Sequence, residues 1–103
     1  MPDFVPVAAA AEIPPGTAAR VLVGDTPVAI YNVDGQFFAT GDICSHAHAS
    51  LSEGPLTGHV IECTRHGAKF DVRDGRQLCF PAVRPVKSYA VRVEDGQIYV
   101  AVD

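Results

Sequence analysis

The chain is predicted to be all-β, a set of short antiparallel strands, on three features of its sequence. Gly24-Asp25, Asp34-Gly35, Asp74-Gly75 and Asp95-Gly96 each stand between apolar stretches as two-residue hairpin turns. Near the end, Tyr89, Val91 and Val93 alternate with Ala90, Arg92 and Glu94; past the last turn, Ile98, Val100 and Val102 alternate with Tyr99 and Ala101. Helix propensity competes at one place only, the alanine run at 8–11.

That run is closed by Pro14-Pro15 and is too short for a stable helix, so it is assigned to the end of a first strand or to a single turn. Residues 21–23, 28–31 and 37–40 read as the next strands, with less clean alternation. Residues 59–62 make a short strand, and the last hairpin presents one face to the core and one to water. Three segments break this rhythm: 41–57, 63–68 and the proline-bounded 80–85. The short strand between the first two is expected to send both polar loops out at the same end of neighbouring strands, bringing their side chains together.

With 103 residues and 48% apolar composition, the chain is expected to form one domain over residues 1–103. It contains no run of about 18 apolar residues, and Met1-Pro2-Asp3-Phe4 lacks the pattern of a secretory leader, so a cytoplasmic protein away from membranes is expected. A formal charge of −4 argues against nucleic acid as a partner. Seven acidic residues against Arg20 alone leave residues 1–62 at −6, and residues 63–103 at +2. Asp42 and Glu53 flank the first polar loop; solvated loop charges are the default reading, and a part in partner choice is the sharper one.

Three cysteines is an odd number, which in a reducing compartment favours metal or thiol chemistry over a disulfide framework. The first polar loop reads Cys44-Ser45-His46-Ala47-His48 and the second Cys63-Thr64-Arg65-His66-Gly67, each offering a thiolate followed by an imidazole. Structural zinc more often draws on closely paired cysteines from one arm and paired histidines from another. A cluster with two cysteines on one iron and two histidines on the other needs two loops that each reach both metals, and one Cys-His pair per loop supplies that. A zinc site stays open as the plainer alternative, and the C-x-H-x-H run leaves His48 as a competing ligand to His46. His59 has no partner in sequence and is given no role; Cys79, between Leu78 and Phe80, reads as a small buried apolar residue.

The C-x-H and C-x2-H pairs, with Leu51-Ser52-Glu53-Gly54, His66-Gly67-Ala68-Lys69-Phe70-Asp71 and Pro81-Ala82-Val83-Arg84-Pro85-Val86, resemble the ferredoxin branch of the Rieske family from about residue 20 onward. The resemblance implies a Rieske-type antiparallel β-sandwich with a small cluster-binding subdomain formed by two loops, and one 2Fe-2S cluster. It makes Cys44 and Cys63 ligands of the inner iron, His46 and His66 ligands of the outer iron, and the Pro81 segment a cover. Gly67 would then permit a turn that a side chain would block, or let main chain approach the sulfides. Ser45 and the Ala47-His48-Ala49 stretch depart from the commonest pattern without removing a ligand.

The same resemblance implies a one-electron carrier, not an enzyme, in a bacterial aromatic-ring dioxygenase system that serves aromatic hydrocarbon catabolism. Its implied partners are a flavin-containing, NAD(P)H-dependent reductase and a terminal Rieske non-haem iron oxygenase. The chain has neither a G-x-G-x-x-G nucleotide loop nor a 2-His-1-carboxylate iron site of its own. It also implies a potential near the low end of the Rieske range, about −150 mV, because Ala68 and Phe70 stand where high-potential relatives place hydroxyls, and Ala49 and Arg65 where they place a disulfide. A Rieske-like small subunit of an assimilatory nitrite reductase is the rival within the same resemblance; intact ligands argue against it.

Overall fold

The marked turns close three hairpins. The strands are β1 (Phe4–Ala9), β2 (Ala18–Val23), β3 (Thr26–Val33), β4 (Gln36–Gly41), β5 (Leu56–Thr57), β6 (Val60–Glu62), β7 (Lys69–Asp71), β8 (Ser88–Glu94) and β9 (Gln97–Ala101). In Asp34-Gly35 and Asp95-Gly96 both residues take positive φ, 52° with 91° and 52° with 76°, the twist that a two-residue connection between antiparallel strands requires. The computed structural model describes residues 4–43, 49–64, 67–78 and 84–102.

Among the described residues, six strands form one sheet in the order β1-β9-β8-β4-β3-β2, and β5-β6-β7 form a second, smaller one. All recorded pairings are antiparallel. The alanine run resolves into both of its readings: β1 ends at Ala9 and a single 3₁₀ turn, Ala10–Glu12, follows. The Glu12 carboxylate accepts the Ala9 amide at 3.0 Å and holds that turn. The strands read at 21–23, 28–31 and 37–40 each extend further, to the bounds of β2, β3 and β4.

The weak alternation of β3 has a physical cause, for this strand is buried on both faces. Val28 and Ile30 pack with Ile13, Ala39, Ile98 and Val100 inside the large sheet. Ala29, Tyr31 and Val33 point the other way, onto Leu51, Ile61, Phe70 and Val72 of the small sheet and its approach. Each fully buried large apolar side chain in these layers contributes about 1.5–3 kcal/mol. In the last hairpin Ile98 and Val100 are buried as expected, but Val93, next to the end of β8, is 43% exposed.

Asp74-Gly75 is not a two-residue hairpin turn. The Asp71 amide donates to Arg76 O at 2.9 Å, so four residues separate the paired positions, and the returning arm is reduced to a bridge between Phe70 and Gln77. The Asp71 side chain explains the longer turn. It accepts the Arg73 amide at 2.9 Å and the Arg73 guanidinium at 3.0 and 2.7 Å, which stitches the turn to its own start. These bonds pull the Asp71 carboxyl down to about 2, below the ordinary carboxylate value. Among the described residues no helix is long and apolar enough to cross a membrane.

Candidate metal centre

The first polar loop is fastened at its base. β4 ends at Gly41, and after Asp42 the chain leaves at Ile43 and returns at Ser50, the two residues forming an antiparallel bridge. Leu51 then enters a 3₁₀ turn, Leu51–Glu53, its amide donating to Asp42 O at 2.7 Å and its side chain fully buried. Asp42 is buried as well. Its carboxylate accepts the Ser50 hydroxyl at 2.5 Å and the Ser52 amide at 2.9 Å, and Arg20 Nε stands 3.2 Å away. The reading of Asp42 as a solvated loop charge is thereby corrected: a carboxylate with three partners is more stable inside than an unsatisfied one and needs no water. Glu53, in contrast, is exposed.

The second loop runs between β6 and β7, and its two ends are bonded to each other. The Cys63 amide donates to Ala68 O at 2.7 Å, and the Gly67 amide donates to Cys63 O at 3.1 Å. Gly67 has φ +74°, the conformation for which a residue without Cβ was expected. β5 and β6 are antiparallel neighbours, so the start of β5, where the first loop ends, lies beside the end of β6, where the second begins. The Glu62 amide donates to Pro55 O at 3.1 Å across that junction. The third segment departs after Leu78, whose amide donates to Lys69 O at 2.8 Å, and returns at Val86, whose amide donates to Gly75 O at 2.9 Å.

The feet of all three segments meet in one place. Leu51 from the first, Cys63 and Ala68 from the second, and Val86 from the third belong to a single buried cluster with Ile61 and Phe70, and Ala49 packs against its edge. Cys63 itself is 1% exposed, so a group bound at its sulfur is shielded from water on the protein side. Two thiolates and two imidazoles are the donor set of a Rieske cluster, and Cys63 is the described member of that expected set. Cys44, His46 and His66 lie outside the described residues, as do Ser45, Ala47, His48, Arg65, Cys79 and the Pro81 stretch through Val83. Among the described residues no three His, Cys, Asp or Glu side chains are grouped to hold a metal ion. The chemistry of the donor set, and the buried cysteine at the foot of its loop, fit the 2Fe-2S group.

His59 has a structural place: its ring meets Phe38 edge-on at 5.7 Å, and its carbonyl accepts the Val72 amide at 2.8 Å. Arg20, Ser50 and Ser52 are the residues that sequence reasoning passed over. The available signal was the isolation of Arg20, the single base among seven acids in residues 1–62. Nearby, the buried Tyr31 hydroxyl pairs with Thr40 Oγ1 at 2.8 Å, and burial pushes its phenol well above the ordinary value.

Residues 3–90 match the family described as the Rieske [2Fe-2S] domain. The chain is 46% identical over 99 residues to ferredoxin CarAc of Metapseudomonas resinovorans, covering 95% of this chain and 92% of that protein. It is also 46% identical over 102 residues to the ferredoxin component of the p-cumate 2,3-dioxygenase system of Pseudomonas putida, with coverages of 97% and 86%. A solved complex of reduced oxygenase and oxidized ferredoxin in carbazole 1,9a-dioxygenase contains a chain that superposes with a TM-score of 0.90 at 46% identity, covering 95% of this chain and 92% of that one. The chain therefore belongs to the Rieske [2Fe-2S] family, among the ferredoxin components of aromatic dioxygenase systems, an electron-transfer protein that carries one Rieske 2Fe-2S cluster.

Proposed function

We propose that the chain is a single Rieske domain over residues 1–103, working in the cytoplasm as a one-electron shuttle. It takes electrons from an NAD(P)H-dependent flavoprotein reductase and delivers them to a terminal ring-hydroxylating oxygenase. Cys44 and Cys63 hold the inner iron, and His46 and His66 the outer one, in a cluster of low potential. When bound, the cluster supplies one reversibly held electron. The observation that carries this reading is the convergence of three segments, with the buried Cys63 among them, on one apolar cluster of Leu51, Ala68, Phe70 and Val86.

The protein's own residues do the rest. The backbone hydrogen bonds at Cys63 and Gly67 tie the two ends of the second loop together. Leu51 and Phe70 keep water from the buried side, and Glu53 offers a charge to a docking partner on the exposed side. The carbazole dioxygenase complex, in which a related ferredoxin sits with its oxygenase, supports the downstream partner.

Metal and sulfide analysis of the purified protein tests the reading. Two irons and two labile sulfides with a red-brown spectrum are expected, and zinc without visible absorbance would overturn it. Substituting His46 or His66 is expected to bleach the protein, and substituting His48 is expected to leave the colour. Reduction by a flavoprotein reductase and oxidation by a ring-hydroxylating oxygenase then separate a shuttle from a nitrite reductase subunit.

A further inference from the structure

The clasp on the first loop has an electrostatic side that its geometry alone does not exhaust. Asp42, on the outgoing stem, grips the returning one: its carbonyl takes the Leu51 amide, and its carboxylate takes the Ser50 hydroxyl and the Ser52 amide. The two serines bond each other at 2.9 Å, so the returning stem meets the carboxylate as a unit. The counter-charge comes from another strand, since Arg20 lies on β2. The two charges are not equally placed. Asp42 is fully buried, whereas the Arg20 side chain is 52% exposed and partly screened by solvent.

Two residues of chain span at most about 7 Å, so the Cα of Asp42 lies within that distance of the Cα of Cys44. A buried charge on the residue two before a cluster ligand acts through protein and not through water, where charges interact more strongly than in solvent. We propose that the Asp42–Arg20 pair is the positioning element of the first ligand loop and sets the redox potential of the cluster, acting through Cys44 and His46 without touching the irons. The proposal rests on the assignment of those two residues as ligands. Reduction adds negative charge to the cluster, the buried carboxylate opposes that charge, and the half-exposed guanidinium offsets only part of the opposition. The pair thus biases the site toward a low potential while it ties the returning stem to Asp42.

Voltammetry and electron paramagnetic resonance of the cluster-loaded protein test this. Asp42→Asn is expected to raise the midpoint potential and change the g values of the reduced cluster. Arg20→Gln is expected to lower the potential, and the double variant to return toward wild type. Mere loosening of the loop moves both single variants in one direction, so shifts of opposite sign identify the charge. Single variants that stay at the wild-type potential, or shift together, overturn the proposal. If Asp42→Asn does not load, Arg20→Gln decides alone: it alters an exposed side chain, and an unmoved potential refutes the assignment. A wild-type protein without a 2Fe-2S spectrum overturns the ligand assignment and this proposal together, whereas a normal wild type with unmoved variants overturns this proposal alone.

Discussion

The backbone carbonyl of Glu62 occupies the space that a Cβ on Gly54 would need. Gly54 lies on the returning side of the first polar loop and Glu62 precedes Cys63, so the contact packs the bases of the two polar loops against each other. Gly54→Ala is therefore expected to force backbone apart and to destabilise the protein by about 1–3 kcal/mol, the usual range for overpacking. Gly41→Ala serves as the control, because nothing lies within 4 Å of its added methyl group. Thermal denaturation of the two variants should show a clear drop in Tm for the first and a small change for the second. A Gly54→Ala protein as stable as wild type would show that the junction has slack.

Asp71 gives a pH dependence with a fixed sign. Its carboxyl is held down to about 2 chiefly by the Arg73 hydrogen bonds, while in the unfolded chain it titrates near the ordinary aspartate value of 3.8. A carboxylate with a depressed folded value contributes stability above the unfolded value and loses it as pH falls toward the folded one. Because Arg73 and Arg76 are both more than half exposed, solvent screening limits the contribution to about 1 kcal/mol. Urea denaturation should find Asp71→Asn weaker than wild type at pH 7, with the gap closing between pH 4 and pH 2. A gap that stays constant across that window would assign the loss to packing and not to charge.

Docking charge is expected to reside on Glu53 and not on Asp42. Glu53 is exposed in its 3₁₀ turn, whereas the Asp42 carboxylate is already committed to Ser50, Ser52 and Arg20. Electron-transfer rates should fall as ionic strength rises and the screening length drops below about 10 Å. Glu53→Lys should change the rate at low salt and flatten that dependence. If the salt slope of Glu53→Lys equals that of wild type, the docking surface lies elsewhere.

Introducing hydroxyls through Ala68→Ser and Phe70→Tyr is expected to raise the potential, since donated hydrogen bonds stabilise the reduced cluster. One or two such bonds correspond to a shift on the order of 100 mV, about 2 kcal/mol for one electron. Both residues are fully buried, and the Ala68 carbonyl already receives the Cys63 amide. A phenol hydroxyl introduced at position 70 that finds no sulfur would be left unsatisfied in the core at a cost of about 1–3 kcal/mol. Voltammetry and thermal denaturation together therefore read out where the hydroxyl points: a stable variant with a raised potential supports the prediction, and a destabilised one with an unmoved potential contradicts it.

Hairpins were the legible part of this fold. Asp34-Gly35 and Asp95-Gly96 announce their turns because few residue pairs accept positive φ twice in succession. Asp74-Gly75 misled, because the side chain of Asp71, three residues earlier, claims Arg73 and lengthens the turn. The two Cys-His pairs pointed from residue identity and spacing to the Rieske family, and the family match over residues 3–90 shows that membership. The burial of Asp42 was not. It depends on Arg20 of a strand 22 positions earlier in the chain, a pairing that local pattern does not encode. The strand bounds of β3 were underestimated for a related reason, because a strand covered on both sides loses the alternation by which strands are read.

That doubly covered strand ties the fate of the two layers together. With Val28 and Ile30 in one core and Ala29, Tyr31 and Val33 in the other, neither sheet can peel away without baring half of β3 to water. Opening events that begin at the metal-bearing end must either stop short of β3 or carry the whole molecule with them. The amides of Val28 through Val33 are thus the natural slow-exchanging reference, against which the breathing of each polar loop is measured separately from global unfolding.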